Sequence, residues 1–61
     1  MMEIGDCFEN IIYIYKVVKF LDNDRVCCNV YLKDRFVGIT SEHPNTLFNM
    51  KKLSSLEKEL M

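Results

Sequence analysis

Apolar residues are densest in two runs separated by a short polar break. Residues 11–21 read Ile-Ile-Tyr-Ile-Tyr-Lys-Val-Val-Lys-Phe-Leu, and residues 25–33 read Arg-Val-Cys-Cys-Asn-Val-Tyr-Leu-Lys. Both are rich in β-branched and aromatic side chains, and Asp22-Asn23-Asp24 lies between them. This pattern predicts an antiparallel hairpin, because such side chains suit a pleated surface while Asn and Asp tolerate turn conformations. In the second strand Val26, Cys28, Val30 and Leu32 alternate with Arg25, Cys27, Asn29, Tyr31 and Lys33, so the first set is expected to face the core. The first strand cannot alternate strictly, since either parity sends Lys16 or Lys19 inward. One extra residue near Val18 and Lys19, a β-bulge, removes the conflict. The predicted register then sets Phe20 opposite Val26, Val17 opposite Cys28, Tyr15 opposite Val30 and Tyr13 opposite Leu32.

That register leaves Ile12, Ile14 and Tyr31 together on the second face, beside Lys16 and Lys33. A face this apolar is expected to be covered by the C-terminal segment, by an identical copy or by a different partner. Elsewhere the pattern predicts an edge strand over residues 3–8, broken by Gly5. A turn at Asp34 and Arg35 leads into a strand over residues 36–41, where Gly38 marks a bend. Residues 41–45 read as a loop, because the residue before Pro44 is biased away from helix. Leu47, Met50, Leu53, Leu56 and Leu60 then recur at helical spacing. Ser54 and Glu57 also form a capping-box pair, which would start a helix at Ser54 and leave residues 46–53 as strand or loop. The predicted class is mainly β with a C-terminal helix within residues 46–60, a small α+β domain. Its sheet is expected to be an antiparallel meander or an SH3-like partial barrel around the hairpin 11–33.

Composition bounds what such a domain can do. With 61 residues there is room for one core, and a chain of this size buries only about 60% of the surface its unfolded form exposes. The 49% apolar content, with two glycines and one proline, is still that of a folding chain rather than a disordered one. Eight Lys and Arg against nine Asp and Glu give a net charge of −1. Dedicated DNA binders carry a basic excess and DNA mimics a dense acidic surface, so neither class fits. No run approaches the roughly 20 apolar residues that cross a bilayer, and the first ten residues contain no secretory apolar segment. A cytoplasmic, non-exported protein without membrane contact is expected.

Three cysteines are an odd number, and Cys27 and Cys28 are neighbours that a strand points to opposite faces. Free thiols are therefore expected, together with Cys7. The spacing fits no structural zinc pattern, no glycine-rich phosphate loop is present, and neither a metal nor a cofactor is assigned. His43 is the only histidine, and no nucleophile or paired carboxylate is legible beside it, so no catalytic residue is assigned and the chain reads as a non-enzyme. Tyr13, Tyr15, Tyr31, Phe20 and Phe36 among Lys16, Lys19, Lys33 and Arg35 would offer base-stacking platforms to single-stranded nucleic acid. The same aromatics are needed to fill the core, which makes nucleic acid the alternative rather than the leading partner.

The segment Ile4-Gly5-Asp6-Cys7-Phe8, the Tyr15-Lys16-Val17 strand, the short polar turn and the Arg25-Val26 strand resemble the small SH3-like barrel proteins encoded by bacteriophages and mobile elements. The resemblance covers about the first 40 residues and is one of pattern, and the longer C-terminal apolar stripe departs from it. It implies an adaptor or inhibitor that occupies a surface of a larger protein. The expected function is accordingly a protein-binding module, of the phage-encoded inhibitor kind, acting on a host protein such as a defence-system component. Its candidate partner face is Ile12, Ile14, Tyr31, Lys16 and Lys33, or else the Leu47 to Leu60 stripe. Closure of open strand edges by a second copy, giving a homo-oligomer, is compatible with this and with nucleic-acid binding.

Overall fold

The hairpin read from the sequence is the centre of the sheet. A computed structural model describes residues 2–59 and contains, in chain order, β1 (Cys7–Glu9), β2 (Ile14–Phe20), β3 (Val26–Leu32), β4 (Arg35–Glu42), α1 (Pro44–Phe48), β5 (Lys51–Lys52) and α2 (Ser55–Glu59). The strands form one antiparallel sheet in the order β4-β3-β2-β1-β5. Strands β1 to β4 make a meander, and β5 returns to the far side of β1. The sheet stays open, so β4 and β5 are its two edges.

Strands β2 and β3 pair Phe20 with Val26, Val17 with Cys28 and Tyr15 with Val30, and the register shifts between Val17 and Lys19. Val18 is the extra residue. It places Lys16 opposite Asn29 and Lys19 opposite Cys27, so both lysines share the face opposite to Val17. Both strands are shorter than the predicted 12–21 and 25–33. The connecting turn is closed by the Leu21 amide donating to the Arg25 carbonyl at 2.8 Å. Asn23 (φ 64°) and Asp24 (φ 59°) adopt left-handed backbone there, which Asx side chains tolerate better than most.

One small core lies on the Val17 face. Phe8, Val17, Val26, Cys28 and Leu47 are buried together, with Met2, Tyr15 and Met50 packed against them. Phe20, Leu32 and Tyr13, expected in that core, are instead exposed. Tyr13 and Leu32 lie beyond the last paired residues of β2 and β3, Ile14 and Tyr31, and Phe20 is exposed although its cross-strand partner Val26 is buried.

The flanking elements differ from expectation in instructive ways. The N-terminal strand begins only at Cys7, after a tight turn in which the Asp6 amide donates to the Glu3 carbonyl and Gly5 takes φ 93°. It is no edge, since Phe8 and Glu9 pair with Lys52 and Lys51 of β5. The second turn is Lys33-Asp34 rather than Asp34-Arg35, and Arg35 already pairs with Leu32. Strand β4 runs through Ser41 and Glu42, and a second register shift leaves Val37 as its extra residue beside Gly38. His43 keeps the extended conformation expected before proline and caps α1, with Nδ1 accepting from the Asn45 amide at 3.1 Å.

The C-terminal apolar stripe is not one helix. Leu47 lies in α1 and Leu56 in α2, while Met50 and Leu53 flank β5; Leu47 and Leu53 are buried, Met50 half-buried and Leu56 exposed, and Leu60 lies outside the described residues. Helix α2 starts at the capping box, where the Glu57 amide donates to Ser54 Oγ at 3.2 Å and the Ser54 amide to Glu57 Oε1 at 2.9 Å. No helix among the described residues is long and apolar enough to cross a membrane.

Candidate functional site

The face of the sheet opposite the core follows from the registers. Ile14 pairs with Tyr31, Lys16 with Asn29, Asn29 with Ile39 and Tyr31 with Phe36, so Ile14, Lys16, Tyr31, Phe36 and Ile39 share it. The Tyr31 and Phe36 rings meet edge to face with centroids 5.8 Å apart. Ile39 is 69% exposed and Phe36 52%. Among the described residues, the chain's own C-terminal segment reaches only one end of this surface. There Lys58 of α2 joins Lys16, Tyr31, Lys33 and Asp34 around a cavity of about 260 Å³.

Three of the five residues expected on the partner face, Lys16, Tyr31 and Lys33, therefore line one concavity, and Ile14 is the cross-strand neighbour of its tyrosine. Ile12 is displaced from them. It lies before β2 in a loop held by Asn10, whose Oδ1 accepts from the Ile12 and Tyr13 amides at 2.8 and 2.7 Å. That loop turns Ile11 and Ile12 outward beside Tyr13 and Tyr15 and lines a second, mostly apolar concavity. Of the alternative stripe, Leu47 and Leu53 are committed to the interior and cannot meet a partner.

Sequence reasoning missed Asp34 and Lys58 as members of the site. Asp34 enters because the turn is one residue earlier than read. Lys58 enters because α2 starts at Ser55, and the capping box carried that signal without saying over which face the helix would lie.

The cavity is lined by three lysines from three segments, one tyrosine and one aspartate. Coulomb attraction there favours an anionic group, and the adjoining Ile14, Phe36 and Ile39 offer apolar contact. Lys33 holds φ 59° at the first position of a two-residue turn, where glycine is the usual occupant. Its side chain is thus supplied to the cavity at a backbone cost of about 1 kcal/mol.

Away from the cavity, the buried thiols and Asp6 have shifted acidities. Burial pushes the Cys7 thiol up despite the nearby Lys16 and Lys58 charges. Burial likewise pushes Cys28 up to about 11, with Cys27 and Glu42 adding to the shift. All three cysteines are free. Burial alone would raise Asp6, but the hydrogen bond from the Glu3 amide (2.9 Å) and the Lys52 ammonium (3.4 Å) outweigh it and hold its carboxyl below the ordinary value. Among the described residues no cluster of three or more His, Cys, Asp or Glu is placed to hold a metal ion.

Comparison with protein-family models, with curated proteins and with solved structures returns no match. Fold and site define a class all the same. It is a small α+β domain with an open antiparallel sheet, whose outer face joins a basic concavity to an exposed apolar strip.

Proposed function

We propose that the chain is a non-enzymatic protein-binding module whose docking surface is the outer face of the sheet, centred on Tyr31. The observation that carries this reading is the convergence of Lys16, Tyr31, Lys33 and Lys58 on one cavity beside the exposed Phe36 and Ile39. At about 260 Å³ it falls below the roughly 300–1,000 Å³ of most small-molecule pockets and suits one or two inserted side chains. The partner is a larger protein presenting a carboxylate next to an apolar or aromatic residue. Interface energy concentrates on a few anchors, and Tyr and Phe are frequent ones. Occlusion of the partner's surface is the mechanism, in line with the resemblance to phage-encoded SH3-like inhibitors of host proteins. His43, engaged as a helix cap, and the raised thiols of Cys7 and Cys28 favour binding over catalysis.

Capture with the tagged chain as bait, followed by identification of retained proteins, tests the reading. Tyr31→Ala and a Lys16→Glu, Lys33→Glu pair should each abolish retention of a partner that Leu56→Ala retains. Retention indifferent to the first two variants would refute the proposed face. The three lysines around an aromatic ring also favour single-stranded nucleic acid as a second reading. That reading requires an affinity for labelled oligonucleotides that falls steeply with added salt and with loss of Lys16 or Lys33. Absence of such binding at low salt removes it.

A further inference from the structure

The two edges of the sheet are built differently. Strand β5 is two residues long, and both are lysines engaged with Glu9, Glu57 and Asp6. Short length and charge are the ordinary means of keeping an edge from pairing with another chain. Strand β4 is eight residues long, contains neither lysine nor proline, and exposes Phe36, Val37 and Ile39. Among the described residues, no strand pairs with its second side. Its charges stand at its two ends, Arg35 and Glu42, and the six residues between them are uncharged.

We propose that this edge pairs antiparallel with the same edge of a second copy, giving a two-fold symmetric dimer. The register follows from which face each residue occupies. Antiparallel partners share a face, and a two-fold axis through the sheet requires residues on either side of it to match. Pairing with β3 puts Gly38, Thr40, Glu42 and Arg35 on the core face, opposite Val30, Cys28, Val26 and Leu32. Ile39, Ser41 and Phe36 are on the outer face, opposite Asn29, Cys27 and Tyr31. With the axis at Ile39, that residue meets its own copy and Gly38 meets Thr40. Val37, already the extra residue against β3, shifts the count by one on the open side too. Phe36 then meets Ser41, and Arg35 meets Glu42.

The bulge thus brings the end charges into register twice, once on each side of the axis, so the edge is complementary to itself. Arg35 has no ion-pair or hydrogen-bond partner among the described residues, and Glu42 accepts only from Thr40 Oγ1 at 2.8 Å. Arg25, which donates to Ser41 Oγ and to the Ser41 carbonyl, stands in this register beside Phe36 of the second copy, a cation next to an aromatic ring. This inference does not depend on the proposed docking face.

Sedimentation equilibrium from micromolar to millimolar concentration tests it, with far-UV circular dichroism verifying the fold of every variant. The native chain is expected to show a concentration-dependent dimer. Arg35→Glu turns two attractive cross-strand pairs into two repulsive ones and should weaken the dimer about tenfold. Adding Glu42→Arg to it restores both pairs with reversed sign and should recover the native constant. Ile39→Lys places two ammonium groups on the axis and should give a monomer. Should that variant fail to fold, the charge series decides alone. A native chain monomeric throughout, or a dimer that Arg35→Glu leaves unchanged or the double reversal fails to restore, would overturn the proposal.

Discussion

Replacing Leu47 by alanine is the sharpest test of how this chain is held together. Leu47 is 0% exposed and is the one buried residue of α1. A five-residue helix has no stability of its own, so α1 exists because that side chain is docked among Phe8, Val17, Val26 and Cys28. Leu→Ala at such a site loses the transfer free energy of the removed carbons and leaves a cavity, together about 3 kcal/mol or more. At roughly 0.05–0.15 kcal/mol per residue, a chain of 61 residues has a total of about 3–9 kcal/mol. The substitution therefore removes a third of the stability at the least.

Urea unfolding followed by far-UV circular dichroism reads this directly. With a slope of about 1 kcal/mol per molar urea, the midpoint should drop by about 3 M. Leu56→Ala, at a residue 69% exposed, is the control and should change stability by less than about 0.5 kcal/mol. Equal costs at Leu47 and Leu56 would mean that the apolar stripe packs as one helix. A cost under about 1 kcal/mol at Leu47 would place the core elsewhere.

Three further outcomes follow from the local chemistry. Native protein treated with an alkylating agent at mildly alkaline pH should be modified at Cys27 well before Cys7 or Cys28, as read by mass spectrometry, because burial raises the latter two thiols; equal rates would contradict their burial. Asp6 titrates below its ordinary 3.8, so its contribution is fully present above that value and is lost as pH falls through the folded pKa; stability should decline from about pH 4 downward, and Asp6→Asn should flatten that decline. Lys33→Gly relieves the left-handed backbone and should raise stability by about 0.5–1 kcal/mol in the urea assay while weakening partner capture, and lower stability would show the turn to be unstrained.

The sequence carried the hairpin register because two lysines in a run of apolar residues admit one solution. Lys16 and Lys19 cannot both point outward without an extra residue, and Val18 is that residue. The same logic was silent about β4, where Phe36, Val37, Gly38 and Ile39 include no charge whose burial is forbidden, so its bulge left no trace in the pattern. Helical spacing from Leu47 to Leu56 could not decide between one helix and a strand or loop before Ser54, because spacing records only which residues are apolar. Leu47 is buried from α1 and Leu53 from the connection after β5, at intervals that a single helix would also show. Of the candidate face, Lys16, Tyr31 and Lys33 were legible from strand parity. Lys58 was not, because its position depends on where a helix beyond two chain reversals comes to rest.

Dimer and docking face occupy the same sheet yet can be separated. Arg35 and Glu42 lie on the core side of β4, whereas Tyr31, Lys16 and Phe36 lie on the outer side. Arg35→Glu should therefore disrupt the pairing of two copies without touching the residues that line the cavity. Pairing across β4 would merge two five-stranded sheets with their outer faces side by side, doubling the surface offered to a partner. If each copy docks independently, Arg35→Glu lowers avidity and leaves the intrinsic affinity unchanged. If the partner spans both copies, Arg35→Glu weakens capture in step with the dimer, about tenfold, and the double reversal restores it. Binding measured with immobilised single copies against free dimer distinguishes the two arrangements, since only a spanning partner needs Ile39 from both sides of the axis.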